Sequence, residues 1–182
     1  PDLLGRRASD ADVRRRARSG RRRRAGAPPP GHRARLGGDA AHLFTPTGGL
    51  GYNTAILVAP DGSLLGRRRK THIPRTAGYY EDQYFRPGPA DPEAFAPIAV
   101  SGARVGLPTC WDQWFPEVAR AYSLAGTDVL AYPTAIGTEP DHPDFDTAPL
   151  WRQVIVGNGI ANGTFMVVPN RWGTEGVITF YG

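Results

Sequence analysis

The chain has 182 residues, 22 Lys plus Arg against 17 Asp plus Glu for a formal net charge of +5, and a single cysteine. One cysteine excludes a disulfide framework and a Cys-x-x-Cys metal site, and no apolar run approaches the roughly 20 residues of a membrane span. The charge is unevenly spread: residues 1–50 hold 12 Arg and 4 Asp, whereas residues 51–182 hold 10 Lys plus Arg and 13 Asp plus Glu.

Taken in chain order, residues 1–49 are rich in Arg, Gly, Ala and Pro and carry one aromatic residue, Phe44. Such a composition buries too little apolar surface to offset the entropy of ordering, so disorder is expected there. A basic arm for nucleic acid is disfavoured because no recognition module surrounds it, and a targeting peptide because it lacks an apolar core and carries acidic residues. An out-of-frame translation of GC-rich DNA accounts for this composition best. Residues 54–59 and 63–66 are apolar stretches around Asp61-Gly62, the signal of a hairpin. Lys70, the only lysine, follows in a basic run. Residues 104–109 form an apolar, strand-like run that ends at Cys110, and a helix is expected over 115–126, with Pro116 at its start and Gly126 as its stop. Buried strands are expected at 128–132, 165–168 and 177–180, with a helix over 150–161. This alternation predicts an α/β layered domain over residues 50–182.

A lone cysteine is most often a structural residue. At a strand-to-helix turn, however, a helix N-terminus and a nearby cation can lower its pKa and favour the thiolate. The four histidines have no ligand spacing, so neither a metal nor a cofactor is expected. The glycines at 157, 159 and 163 carry an extra residue relative to a dinucleotide fingerprint and lie in a helical pattern, so they make no nucleotide loop. A single free thiol and no export signal favour the cytoplasm.

Four segments carry more information together: Arg69-Lys70-Thr71-His72-Ile73-Pro74, then 78–85 with Tyr79, Tyr80 and Glu81, then Cys110-Trp111-Asp112-Gln113-Trp114-Phe115-Pro116-Glu117, then 132–139 from Tyr132 to Glu139. In this order and spacing they resemble the nitrilase, or carbon-nitrogen hydrolase, superfamily, nearest to its branch that hydrolyses N-carbamoylputrescine. The resemblance implies a four-layer α-β-β-α sandwich, here partial and truncated at both ends, and homo-oligomers for an intact member. It also implies a thiol amidohydrolase acting on a small ureido or amide substrate, with no cofactor. Cys110 matches the nucleophile, and Lys70 with the backbone N–H of Trp111 matches the oxyanion-stabilising pair. Glu81 matches an acidic residue that orients the lysine and the substrate. Trp114, Glu117, Thr134, Ala135 and Glu139 are substrate-binding candidates. The family's general-base glutamate stands upstream of the lysine, and no glutamate precedes Glu81 in these 182 residues. Impaired turnover is expected on that ground. Asp112-Gln113-Trp114 offers no cation for a substrate carboxylate, whereas Glu139, Asp141, Asp144 and Asp146 form an acidic rim suited to an ammonium group.

Overall fold

The computed structural model describes residues 49–182; the basic segment expected to be disordered lies outside them, apart from Gly49. The described part opens with an antiparallel hairpin, β1 (Thr54–Val58) and β2 (Leu64–Arg69), in which Thr54 stands opposite Arg69. The Asp61 carboxylate closes its turn by accepting from the Ser63 N–H at 2.9 Å and hydroxyl at 2.7 Å. Gly62 takes φ +87° there, a backbone state that side chains resist. β2 extends past the predicted residue 66 through the arginines, because a two-faced strand tolerates charged side chains on its open side.

After two short strands, β3 (Arg75–Thr76) and β4 (Tyr79–Tyr80), comes a four-stranded sheet in the order β5 (Ile98–Val100), β6 (Ala103–Gly106), β7 (Val129–Ala131), β8 (Phe165–Val167). β5 runs antiparallel to β6, while β6, β7 and β8 are parallel. Parallel neighbours need crossovers, and two helices supply them. α1 (Pro116–Leu124) joins β6 to β7, and α2 (Ala148–Asn162) joins β7 to β8. Proline at the first turn fits α1, since that N–H has no partner within the helix. Gly163, at φ +63°, ends α2. A last hairpin, β9 (Trp172–Glu175) with β10 (Ile178–Tyr181), follows.

The layering is written in two consecutive residues of β7. Leu130 packs with Val118, Ala119 and Tyr122 of α1, whereas Ala131 packs with Ala55 and Leu57 of β1, Ile98 and Leu107. Successive strand residues face opposite sides, so the sheet has helix on one face and the β1–β2 hairpin on the other. The order is α, then β, then β. Because β6 and β7 are parallel, the segments leaving their C-terminal ends emerge at the same edge of the sheet, where open α/β sheets place their ligands.

Two strand expectations need correction. β8 is not a buried strand: Phe165 is 76 % exposed and Val167 is exposed too, while Met166 packs toward α1. β8 is the outermost strand of its sheet, and an apolar run does not reveal that one face is open. Val177 likewise lies in the turn before β10 and is exposed.

Truncating Leu130, which is fully buried between β7 and α1, to alanine should cost about 2–5 kcal/mol of stability through lost transfer energy and a residual cavity. The same change at exposed Leu124 should stay within about 0.5 kcal/mol. Denaturant unfolding of both variants checks the contrast.

Candidate active site

Lys70 sits one residue past β2, with its backbone N–H donating to the Asn53 carbonyl at 2.8 Å and its own carbonyl accepting from the Gly88 N–H at 2.8 Å. Its side chain turns inward and the residue is only 1 % exposed. A buried ammonium needs a counter-charge, and Nζ donates to both Glu81 carboxylate oxygens at 2.8 Å. Glu81, at the first position of the 3-10 turn Glu81–Gln83 that follows β4, also accepts from Asn53 Nδ2 at 3.2 Å.

Cys110 arrives from the opposite side. Beyond β6 the chain runs through Leu107, Pro108 and Thr109 into the 3-10 turn Cys110–Trp114, and Cys110 itself adopts φ +43°. A non-glycine residue in that region is uncommon and costs of order 1–3 kcal/mol, and such strain concentrates at functional sites. The Cys110 N–H donates to the Pro133 carbonyl at 3.0 Å, which joins the turn after β6 to the segment after β7. That segment is fixed in turn: the Thr134 N–H donates to the Pro169 carbonyl at 3.0 Å, and Asn170 clasps Ile136 by bonds of 2.9 and 3.0 Å.

These segments enclose a cavity of about 150 Å³ lined by Cys110, Lys70, Glu81, Asn53, Thr134 and Ala135, with Thr54, Ala55, Thr109 and Pro133 completing the wall. The sequence-predicted Cys110, Lys70, Glu81, Thr134 and Ala135 are therefore brought together. Trp111 and Trp114 lie outside the lining and meet edge to face, 6.3 Å between ring centroids. Glu117 is exposed in the first turn of α1, also away from the cavity. Glu139 is half-buried in the loop after β7 and likewise lies outside the lining.

The electrostatics differ from expectation at the thiol. Burial pushes the Cys110 thiol up; Lys70 and the Ala135 backbone N–H pull the other way, and the Glu81 and Asp112 carboxylates add to the rise. Burial is the largest of these influences and outweighs the pull of Lys70, so the expected depression does not result. Burial raises Glu139 above the ordinary carboxylate range, with His142 opposing and Asp141 reinforcing the rise. The Tyr79 hydroxyl, which accepts from the Gly137 N–H at 3.1 Å, is pushed up to about 12, chiefly by burial and further by Glu139 and Cys110.

Two residues at the site escaped the sequence reading. Asn53, just before β1, holds Glu81. Asp112, 1 % exposed, accepts from backbone N–H groups of Thr71, His72 and Thr109. The spacing Thr109-x-x-Asp112 is that of a capping box and was the available signal.

A buried cation paired with a half-buried carboxylate and facing a cysteine on a strained turn, at the C-terminal edge of a mixed α/β sheet, is an arrangement suited to thiol-dependent acyl transfer. The chain belongs to the carbon-nitrogen hydrolase family, whose sequence model matches residues 38–182. It is 42% identical over 146 residues to a citrullinase of Francisella tularensis, covering 78% of this chain and 50% of that protein. To the N-carbamoylputrescine amidase of Solanum lycopersicum it is 44% identical over 139 residues, covering 72% and 45%. Among solved structures, a carbon-nitrogen hydrolase from Helicobacter pylori G27 superposes with a TM-score of 0.67 at 38% identity, covering 76% of this chain and 50% of that one. An amidase from Nesterenkonia sp. AN1, with acrylamide added at its active site cysteine, superposes with a TM-score of 0.57 at 26% identity, covering 70% and 45%. The fold is thus of the nitrilase type. The chain spans about half the length of the curated relatives it matches.

The charges around the thiol make a signed prediction for its ionisation. The pH midpoint for alkylation of Cys110 by iodoacetamide should lie above the ordinary thiol range, move higher in Lys70→Met and move lower in Glu81→Gln. Opposite movements in the two variants would contradict the arrangement.

Proposed function

We propose that the site hydrolyses the ureido carbon-nitrogen bond of N-carbamoylputrescine, giving ammonia, carbon dioxide and putrescine. The observation that carries this reading is the pairing of charges. Among the described residues Lys70 is the one cation lining the cavity, and it is taken up by Glu81. Glu139 is a half-desolvated carboxylate whose pKa is raised, a state that a bound ammonium relieves. Such a site favours a substrate with a cationic tail over one with a carboxylate.

In the proposed sequence the Cys110 thiolate forms a C–S bond to the ureido carbonyl carbon, and the electron pair of the C=O moves onto oxygen. Lys70 and the Trp111 N–H stabilise that oxyanion, a contribution worth on the order of 10²–10³ in rate for each donor. Collapse breaks the bond to the terminal nitrogen, which leaves as ammonia after taking the proton that the Cys110 thiol gave up, and an N-alkylcarbamoyl thioester remains. Water then attacks the thioester, and the carbamate it releases loses carbon dioxide to leave the amine. The second step calls for a general base, worth on the order of 10²–10⁴. Among the described residues Glu81 is the one carboxylate lining the cavity, and both of its oxygens accept from Lys70. With Glu81 so engaged, thioester hydrolysis is the slow step of the proposed sequence.

Ammonia release from N-carbamoylputrescine tests the reading, with L-citrulline as the comparison substrate suggested by the Francisella relative. The first should be preferred, and Cys110→Ala should abolish release from both. Glu139→Gln should raise KM for N-carbamoylputrescine by about tenfold, the loss of one charge-assisted contact. Preference for citrulline, or an unchanged KM, would overturn the assignment of the cationic tail. With limiting base catalysis, the parent chain should show a burst of ammonia close to one equivalent of enzyme. Intact-mass spectrometry should then find Cys110 carrying the substrate less ammonia.

A further inference from the structure

Asp112 is almost completely buried, and each of its carboxylate oxygens is engaged from two sides. Oδ1 accepts from the His72 backbone N–H at 2.8 Å and from His72 Nδ1 at 2.9 Å. Oδ2 accepts from the Thr109 N–H at 3.1 Å and the Thr71 N–H at 3.3 Å. A carboxylate only accepts, so the imidazole carries its proton on Nδ1. Thr71 is the residue after Lys70, and Thr109 is the residue before Cys110. The same two segments meet again where the His72 ring stacks on Phe115, with centroids 3.6 Å apart and planes 5° apart.

We propose that Asp112 is a positioning residue: its carboxylate ties the segment that follows Lys70 to the turn that carries Cys110, and so fixes the ammonium where charge develops on the reacting carbonyl oxygen. This rests on the Cys110 and Lys70 roles proposed above. Lys70 comes from the β1–β2 hairpin and Cys110 from the four-stranded sheet, so their separation is set by whatever crosses between those layers. A hydrophobic contact resists separation weakly in direction, whereas four hydrogen bonds converging on one planar group define a geometry. Asparagine at position 112 replaces one acceptor oxygen by an N–H2 donor, which faces two N–H donors and forfeits their bonds.

Two reagents at the same thiol separate positioning from folding and from thiol ionisation. With acrylamide, the Cys110 thiolate bonds to the terminal alkene carbon, the π pair shifts to charge the amide oxygen, and a proton from water then settles on the α-carbon. With iodoacetamide, the C–S bond forms as iodide leaves, and no charge develops on the carbonyl oxygen. The ratio of the two rates therefore reports the oxyanion site alone. Misplacement of a catalytic group by about 1 Å costs on the order of 10²-fold, so Asp112→Asn should lower the acrylamide-to-iodoacetamide ratio by about tenfold or more. His72→Phe, which keeps the ring stack and removes one bond, should lower it by a smaller factor. Lys70→Met should lower it at least as far as Asp112→Asn. An unchanged ratio in folded Asp112→Asn overturns the proposal, and if that variant does not fold, an unchanged ratio in His72→Phe does so. An unchanged ratio in Lys70→Met overturns the Lys70 role and this proposal together. A parent chain that reacts as described but releases no ammonia sinks the substrate reading and leaves the positioning role standing.

Discussion

The burial of one ammonium group organises this site. Lys70 is the only lysine in the sequence and is almost inaccessible to water. Leaving such a charge uncompensated in the interior costs several kcal/mol, so the fold must bring it a counter-charge and hold that counter-charge in register. Glu81 is brought by the turn after β4, and Asn53, one residue before β1, holds Glu81 in turn. The ion pair therefore spans three separate stretches of chain. Its value lies less in stability than in orientation, because replacing buried ion pairs by apolar residues is often neutral for stability.

A second buried charge performs the complementary task. Lys70 and Glu81 both belong to the hairpin side of the molecule, and nothing in their mutual attraction fixes them relative to the cysteine. Asp112 spans that gap from the sheet side, and it sits within the same 3-10 turn that gives Cys110 its positive φ. The strain at Cys110 is sustained by surroundings that leave the turn little freedom: the Pro133 carbonyl takes its N–H, and the Asp112 carboxylate takes the N–H of the residue before it. Strained backbone survives where neighbouring contacts over-determine it.

Much of this was legible in the sequence because it depends on local patterns. The Asp61-Gly62 turn, Pro116 at the head of α1 and the apolar run into Cys110 each encode their structure within a few residues. The pairing of Lys70 with Cys110 in one site was legible only through the family resemblance, since 40 positions separate them. Asn53 and Asp112 were missed for a different reason: a polar residue beside a strand or in a first turn looks like any capping or loop residue until its partners from distant segments are known. The exposure of Phe165 was missed because an edge strand and a central strand share the same residue preferences. The ionisation of Cys110 runs against the sequence expectation because burial of the thiol, which a local pattern does not reveal, outweighs the charge of Lys70.

Glu81, which lines the cavity, and Glu139, which lies outside its lining, differ in their surroundings, and the proposed choice of substrate rests on that contrast. Glu81 is satisfied by Lys70 and Asn53. Glu139 is partly desolvated, with His142 as its opposing influence and Asp141 working against ionisation. Tyr79 connects these regions, its hydroxyl held by the Gly137 N–H while it feels both Glu139 and Cys110. Gly137 also lies so close to β10 that a Cβ would overlap the Thr179 carbonyl, so the loop that carries Glu139 is anchored at its start. In the proposed reading, a carboxylate on an anchored loop selects by length, favouring a chain whose cationic end reaches it while the ureido carbon meets the thiol.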